Sequence, residues 1–241
     1  ILWYRERRRE MNEIILNSAT VGVVISLAAY GVGVLLKKKF KMSIFNPLLI
    51  SIVLVIVVIS VLGIDYDSYN ESAKYISYLL TPATVALAIP LYQQIELLKK
   101  HIIAIIIGIA SGVITSLSSV LIIAIIFKLS QEEYVTLLPK SITTAIGMGL
   151  SEEFGGIVSI SVAVIIITGV FGNMVAEGMC KLFRIKSPIS RGLAIGTAAH
   201  AVGTAKAMEM GEIEGAMSSL AIVVAGLGTV IAMSFFSCFL P

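Results

Sequence analysis

The sequence predicts an all-α polytopic membrane protein with about six transmembrane helices and two short re-entrant or broken helical segments. Three observations carry that prediction. Hydrophobic residues make up 57% of the 241-residue chain and charged residues only 14%, against roughly 45–50% and about 25% in soluble domains. The mean hydropathy is +0.97, so a water-soluble globule would lack the polar side chains to cover its surface. The charges are also clustered, leaving long runs free of Asp, Glu, Lys and Arg. Charge at the bilayer centre is costly, which makes those runs the natural unit for counting spans.

Six runs exceed twenty residues: 14–36, 42–64, 75–95, 101–127, 154–176 and 215–241. A spanning helix needs about 20 apolar residues, and each run meets that length. Two shorter runs, 141–151 and 192–205, are rich in Gly, Ala, Ser and Thr and too short to cross comfortably. Lys37, Lys38, Lys39 and Lys41 follow the first run. The positive-inside rule makes that cluster cytoplasmic and puts the N-terminus outside. Asp65, Asp67 and Glu71 then fall outside, Lys99 and Lys100 inside, and Glu132 and Glu133 outside. Lys181, Arg184, Lys186 and Arg191 should be inside, which requires that 141–151 does not cross. The run 192–205 likewise dips in from the cytoplasm and returns. Short, tilted ordinary helices are the alternative for both. Non-helical backbone at membrane depth survives only where protein or a water-filled cavity satisfies it. Paired interrupted segments are therefore a pointer to a transporter's binding site.

An internal repeat supports the pairing. Residues 82–90 (PATVALAIP) and 139–147 (PKSITTAIG) align at an offset of 57, with Gly112 and Gly169 each 22 residues beyond. Ala201-Val202-Gly203 is a fainter third copy, with Gly226 following 23 residues later. One span separates the second and third copies, so an inverted repeat is expected.

The formal net charge is +3, but residues 1–10 hold four arginines and two glutamates, and without them it is +1. Met11-Asn-Glu-Ile reads as a natural start, so residues 1–10 are expected to be a non-native N-terminal extension and 11–241 a single membrane domain. The residual charge gives no argument for a nucleic-acid partner. Cys180 and Cys238 form no spacing framework and read as packing residues.

The sharpest polar constellation is Leu137-Leu138-Pro139-Lys140-Ser141-Ile142-Thr143-Thr144. Pro139 breaks the helix, and a helix N-terminus after the break offers free N–H groups to an anion. Lys140 adds a full positive charge for a carboxylate, and Ser141, Thr143 and Thr144 add hydroxyls. The alternative is a lysine snorkelling to the headgroups beside Glu132 and Glu133. A second constellation runs from Gly196 to Lys206 and contains Thr197, His200 and Thr204. His200 titrates near physiological pH and would suit proton coupling, or it is a hydrogen-bonded packing residue. Lys206 reads equally as a cytoplasmic-rim charge near Glu209. The third element, Thr81-Pro82-Ala83-Thr84 through Pro90-Leu91-Tyr92, frees carbonyls at two prolines, although a Pro-kinked structural helix explains it as well. Asn46-Pro47 reads as the cap of the second span. Gly108/Gly112 and Gly192/Gly196 let helices approach closely, in packing or in a homo-oligomer.

Intramembrane enzymes leave marks that are missing from this sequence. It has no His-Glu-x-x-His and no Gly-x-Ser-x-Gly, nor a Walker-type loop or a nucleotide-binding glycine fingerprint. No catalytic residues, metal or cofactor are expected.

At these residues the sequence resembles the LrgB/CidB family of bacterial inner-membrane proteins, historically called antiholin-like. The resemblance is carried by Asn46-Pro47, residues 80–92 (LTPATVALAIPLY), Pro139-Lys140-Ser141-Ile142-Thr143, Gly155-Gly156, His200-Ala-Val-Gly-Thr-Ala205 and the stretch from Glu212 to Ala216. It extends over 11–241. It implies a small LrgA/CidA-type holin-like membrane partner and modulation of murein hydrolase activity and autolysis. Related proteins move glycolate, glycerate or pyruvate. The expected function is a transporter of such small monocarboxylates in the bacterial inner membrane, with proton coupling in view. Its substrate would bind at Lys140, Ser141, Thr143, Thr144, Thr84, His200 and Thr204. The alternative is an antiholin-like regulator of lysis without carrier activity. The lysine at a proline break and the opposed polar dips favour transport.

Overall fold

Asn46 shows how the sequence sets its own helix boundaries. Its Oδ1 accepts hydrogen bonds from the N–H groups of Leu48 at 2.9 Å and Leu49 at 3.3 Å. Pro47 occupies the first turn, where its missing donor costs nothing. The computed structural model describes residues 20–40, 45–79, 82, 85, 86 and 88–240, and among these every regular element is helical. The chain folds as two units that divide between Ala86 and Leu87.

The first unit holds α1 (Val21–Phe40), α2 (Pro47–Leu62) and α3 (Tyr66–Ser77). Ser26 Oγ lies 2.6 Å from Tyr69 Oη, and the Gly22 N–H donates to Ser72 Oγ at 3.0 Å, which fastens α1 to α3. Gly63 ends α2 at a φ of 67°, a conformation that favours glycine. The 16 residues of α2 rise about 24 Å, less than the roughly 30 Å of a bilayer core. The expected span 75–95 falls partly on α3 and partly on residues 80, 81, 83, 84 and 87, which lie outside the described residues, as do residues 1–10. Among the described residues, four helices are long and apolar enough to cross, rather than the expected six.

In the second unit, α4 (Ala88–Gln93) and α5 (Ile95–Lys100) lead into α6 (Ile102–Phe127). There follow α7 (Gln131–Leu137), a 3-10 turn (Leu138–Ser141), α8 (Thr144–Glu153), α9 (Val158–Leu182), α10 (Pro188–Met210) and α11 (Glu212–Phe236). The helices α6, α9 and α11 realise the expected spans 101–127, 154–176 and 215–241. At about 1.5 Å per residue, each is long enough for the hydrocarbon core.

Between the long helices lie two hairpins. The first is α7, the 3-10 turn and α8. Ser130 and Glu133 start it with a reciprocal capping box, and Pro139 leaves helical geometry at its apex. Its arms are clamped at Ser161 of α9, whose Oγ lies 2.7 Å from both the Thr136 carbonyl oxygen and Ser151 Oγ. The second is α10, whose backbone breaks at Ala199 (φ −131°) and at His200 (φ 42°, ψ −138°). After the break the chain doubles back. The Asn173 side-chain amide donates to the Val202 carbonyl at 2.7 Å, and Lys206 pairs with Glu177 at 3.3 Å. The returning arm thus descends α9 toward its C-terminus.

The hairpins insert from opposite ends. Tyr134 Oη donates to the Phe236 carbonyl at 2.9 Å, and the Gln131 amide donates to that of Ser237 at 2.8 Å, so the first opens at the C-terminal end of α11. Arg191 lies 3.6 Å from Glu214, so the second opens at the N-terminal end of the same helix. The predicted repeat has a structural counterpart. A Cβ on Gly169 would meet the His200 ring at 2.6 Å, and one on Gly226 would meet Ile146 at 3.1 Å. The long helix after each hairpin thus seats the other hairpin on a glycine.

Candidate functional site

The two hairpin tips reach the same depth from opposite sides. Ser141, at the tip of the first, lies 2.9 Å from Ser116 Oγ, near the middle of α6. The rising arm of the second packs on α6 at Gly108 and Gly112, through Leu193 and Thr197. That arm is held closely on its other side as well. A Cβ on Gly192 or Gly196 would collide with the backbone carbonyl of Glu214 or Ser218 in α11. Both Gly-x-x-x-Gly pairs therefore grip one short arm within the chain.

Where the tips meet, a cavity of about 780 Å³ opens, within the usual size range of small-molecule sites. Its polar wall is a stripe along α6: Ser111, Thr115, Ser116 and Ser119, with Gly108 and Gly112 beneath. These residues recur every three or four positions, so they share one helix face. Lys140 and Ser141 close one end, and Thr168 and Thr197 face in from α9 and α10. The cavity runs from Ser119 and Lys140 toward Cys180, Ile185 and Ser190. That end of the unit also carries Lys181, Arg184 and Lys186. Beyond Ser119, buried Leu117, Val120, Val135 and Leu138 belong to the apolar core.

Lys140 is the only charged residue in the described lining. Its ammonium donates to Ser116 Oγ and to Ser141 Oγ, each at 3.2 Å. Two of its three donors are thereby used on neutral hydroxyls, and among the described residues it makes no ion pair. A partly buried cation without a counter-charge is costly, and an anion entering the cavity would relieve that cost.

A model of the LrgB-like family matches residues 26–239. The chain belongs to the LrgB-like family. Antiholin-like protein LrgB of Bacillus cereus strain B4264 is 42% identical over 220 residues, covering 91% of this chain and 96% of the relative. The protein of the same name from Bacillus anthracis strain A0248 shows the same identity and coverage. No solved structure matches the chain.

The residues singled out in this LrgB-like sequence separate into groups. Lys140 and Ser141 line the cavity. Thr143 and Thr144 start α8 and do not line it. The His200 ring turns away, its Nε2 3.0 Å from the Ile165 carbonyl oxygen. Thr204 donates to the His200 carbonyl at 2.9 Å and lies 2.7 Å from Ser218 Oγ, so it ties the returning arm to α11. Thr84 lies outside the described residues. Lys206 is shared between Glu177 at 3.3 Å and Glu209 at 3.4 Å and does not line the cavity. The residues that sequence reasoning missed are the α6 stripe and Thr168. The stripe was detectable as hydroxyls at helical spacing inside an isoleucine-rich run.

Proposed function

We propose that this LrgB-like protein is a secondary carrier of small monocarboxylates. The observation that supports it is the lone cation of Lys140 in a hydroxyl-lined cavity at the junction of two opposed hairpins. Lys140, Ser116 and Ser141 receive the carboxylate, and the α6 stripe offers further hydroxyls along the path. Opposed broken segments meeting at mid-depth are the arrangement by which many carriers bind a substrate and expose it alternately to each side. No covalent chemistry is involved in this reading.

The basic end is cytoplasmic by the positive-inside rule, so the cavity opens inward in a bacterial inner membrane; the same rule applied to Lys37, Lys38 and Lys39 at the end of α1 puts the N-terminus outside. An LrgA/CidA-like holin-like protein is the membrane partner. His200 holds the second hairpin on α9 rather than contacting substrate. The name of the Bacillus relatives favours a second reading, an antiholin-like regulator of murein hydrolase activity and lysis that moves no solute. A regulator has no need of an unpaired lysine facing a cavity. Uptake of labelled pyruvate or glycolate into proteoliposomes separates the two. Saturable uptake that unlabelled carboxylate competes away is expected, whereas a leak indifferent to substrate contradicts the carrier.

A further inference from the structure

We infer that the cavity takes monocarboxylates with an unbranched apolar tail, of the length of hexanoate and octanoate, carboxylate at Lys140 and tail toward the basic end. This rests on the carrier reading for the seat of the carboxylate and goes beyond it, since that reading concerns short acids alone.

The cavity is far longer than a short acid. Its lining on α6 runs from Ala104 to Ser119, about 22 Å along the axis. Lys140 sits near one end, bonded to Ser116 at 3.2 Å, and from Ser116 to Ala104 is about 18 Å. A three-carbon acid held at Lys140 occupies only the first turn of that length.

What lies beyond is suited to an alkyl chain rather than to a second anionic group. Ser111 Oγ donates to the Gly108 carbonyl at 2.8 Å, Thr115 Oγ1 to that of Ser111 at 2.7 Å, and Ser119 Oγ to that of Ser116 at 2.6 Å. A hydroxyl has one proton to give, so these three present acceptor lone pairs alone. A second carboxylate finds no donor among them. Facing the stripe, Phe171, Val175, Ala176 and Met179 of α9 and Leu193 and Ala194 of α10 form an apolar wall. Displacing water from such a wall is favourable, by about fourfold in affinity per fully buried methylene.

The wall also sets a length. Leu193 packs on Gly108, where a Cβ would lie 3.7 Å from it, and its neighbour Ala194 is exposed to the cavity. Gly108 precedes Ser116 by two turns, about 12 Å. An extended octanoate, with carbon–carbon bonds of about 1.5 Å, reaches roughly 9 Å. Its terminal carbons therefore come level with Ala194.

The test measures uptake of labelled pyruvate into proteoliposomes without an imposed pH gradient, against propionate, butyrate, hexanoate and octanoate as competitors. Adipate is the dicarboxylate matched to hexanoate. In wild type, inhibition should strengthen by about two- to fourfold per added methylene, and adipate should inhibit no better than propionate. Ala194→Phe, which puts a ring across the tail's path, should erase the gain from hexanoate to octanoate, with each variant's own inhibition by propionate as the reference. Size-exclusion profiles check folding, and Val175→Phe blocks the same path from the facing wall if the first variant aggregates. Inhibition independent of chain length in wild type, or adipate equal to hexanoate, overturns the apolar seat while leaving the carrier intact. A gain that persists in both variants belongs to the bilayer and also overturns it. Loss of pyruvate uptake in both folded variants places the short acid itself against this wall and contradicts the arrangement with the carboxylate at Lys140. Absence of pyruvate uptake by wild type overturns the carrier reading, and this inference with it.

Discussion

A Cβ atom on Gly203 would lie 3.1 Å from the carbonyl oxygen of Ile195, eight residues earlier. In a straight helix those residues would be about 12 Å apart along the axis. Their contact establishes that α10 is a hairpin folded at Ala199 and His200. The first hairpin has the same relation, since a Cβ on Gly147 would lie 3.6 Å from Pro139, again eight residues earlier.

Replacing Gly203 by leucine should therefore pry the second hairpin open. The added side chain meets Ala199 and Ile195, and overpacking of this kind costs roughly 1–3 kcal/mol. Gly178→Leu is the control, because nothing lies within 4 Å of a Cβ there. Thermal stability in detergent should fall for Gly203→Leu and hold for Gly178→Leu. Equal stability of the two would contradict the hairpin.

The ion pair of Arg191 and Glu214 anchors the rising arm to α11. Glu214 is buried, and Arg191 also donates from Nε to the Ile185 carbonyl at 2.7 Å. Arg191→Met should destabilise by about 3–5 kcal/mol, because it strands a buried carboxylate. Arg191→Met combined with Glu214→Gln should recover part of that loss. Additive losses in the double-mutant cycle would show that the pair is not coupled.

The opposed insertion of the hairpins predicts sidedness. Glu152 and Glu209 are both exposed, one at the open end of each hairpin. Single cysteines there, with Cys180 and Cys238 replaced by serine, should react with an impermeant maleimide from opposite faces: position 152 from outside and position 209 from the cytoplasm. Labelling of both from one face would refute the arrangement.

Much of this was legible in charge spacing, because ionised groups are excluded from a bilayer whatever the fold. That constraint located α6, α9 and α11; the short gap 192–205 fell within the second hairpin, and the gap 141–151 covered only the tip and returning arm of the first, whose other arm carries Glu132 and Glu133. Lys140 was legible for the same reason, as a charge placed at a proline break. The orientation of His200 was not. The break at residues 199 and 200 rotates the ring onto α9, and rotation about a break leaves no periodic trace. The hydroxyls of α6 escaped notice because Ser and Thr barely interrupt an apolar run. Lys140, which donates to Ser116, comes from a distant segment that only packing brings to α6.

Ser116 tests whether the stripe on α6 belongs to the site. Ser116→Ala removes one acceptor from Lys140 and one contact of Ser141 while leaving the charge in place. Uptake should weaken about two- to tenfold, the range of one neutral hydrogen bond. Ser118→Ala, outside the cavity lining, should change nothing.

The lone cation is tested most directly by uptake of labelled pyruvate or glycolate into proteoliposomes of wild type, Lys140→Ala and Lys140→Arg. Removing the charged partner of a bound carboxylate costs about 2–5 kcal/mol, so Lys140→Ala should lose at least about thirtyfold in uptake at limiting substrate. Lys140→Arg should retain part of it. Equal uptake by wild type and a folded Lys140→Ala would contradict the assignment of this cavity as the carboxylate site.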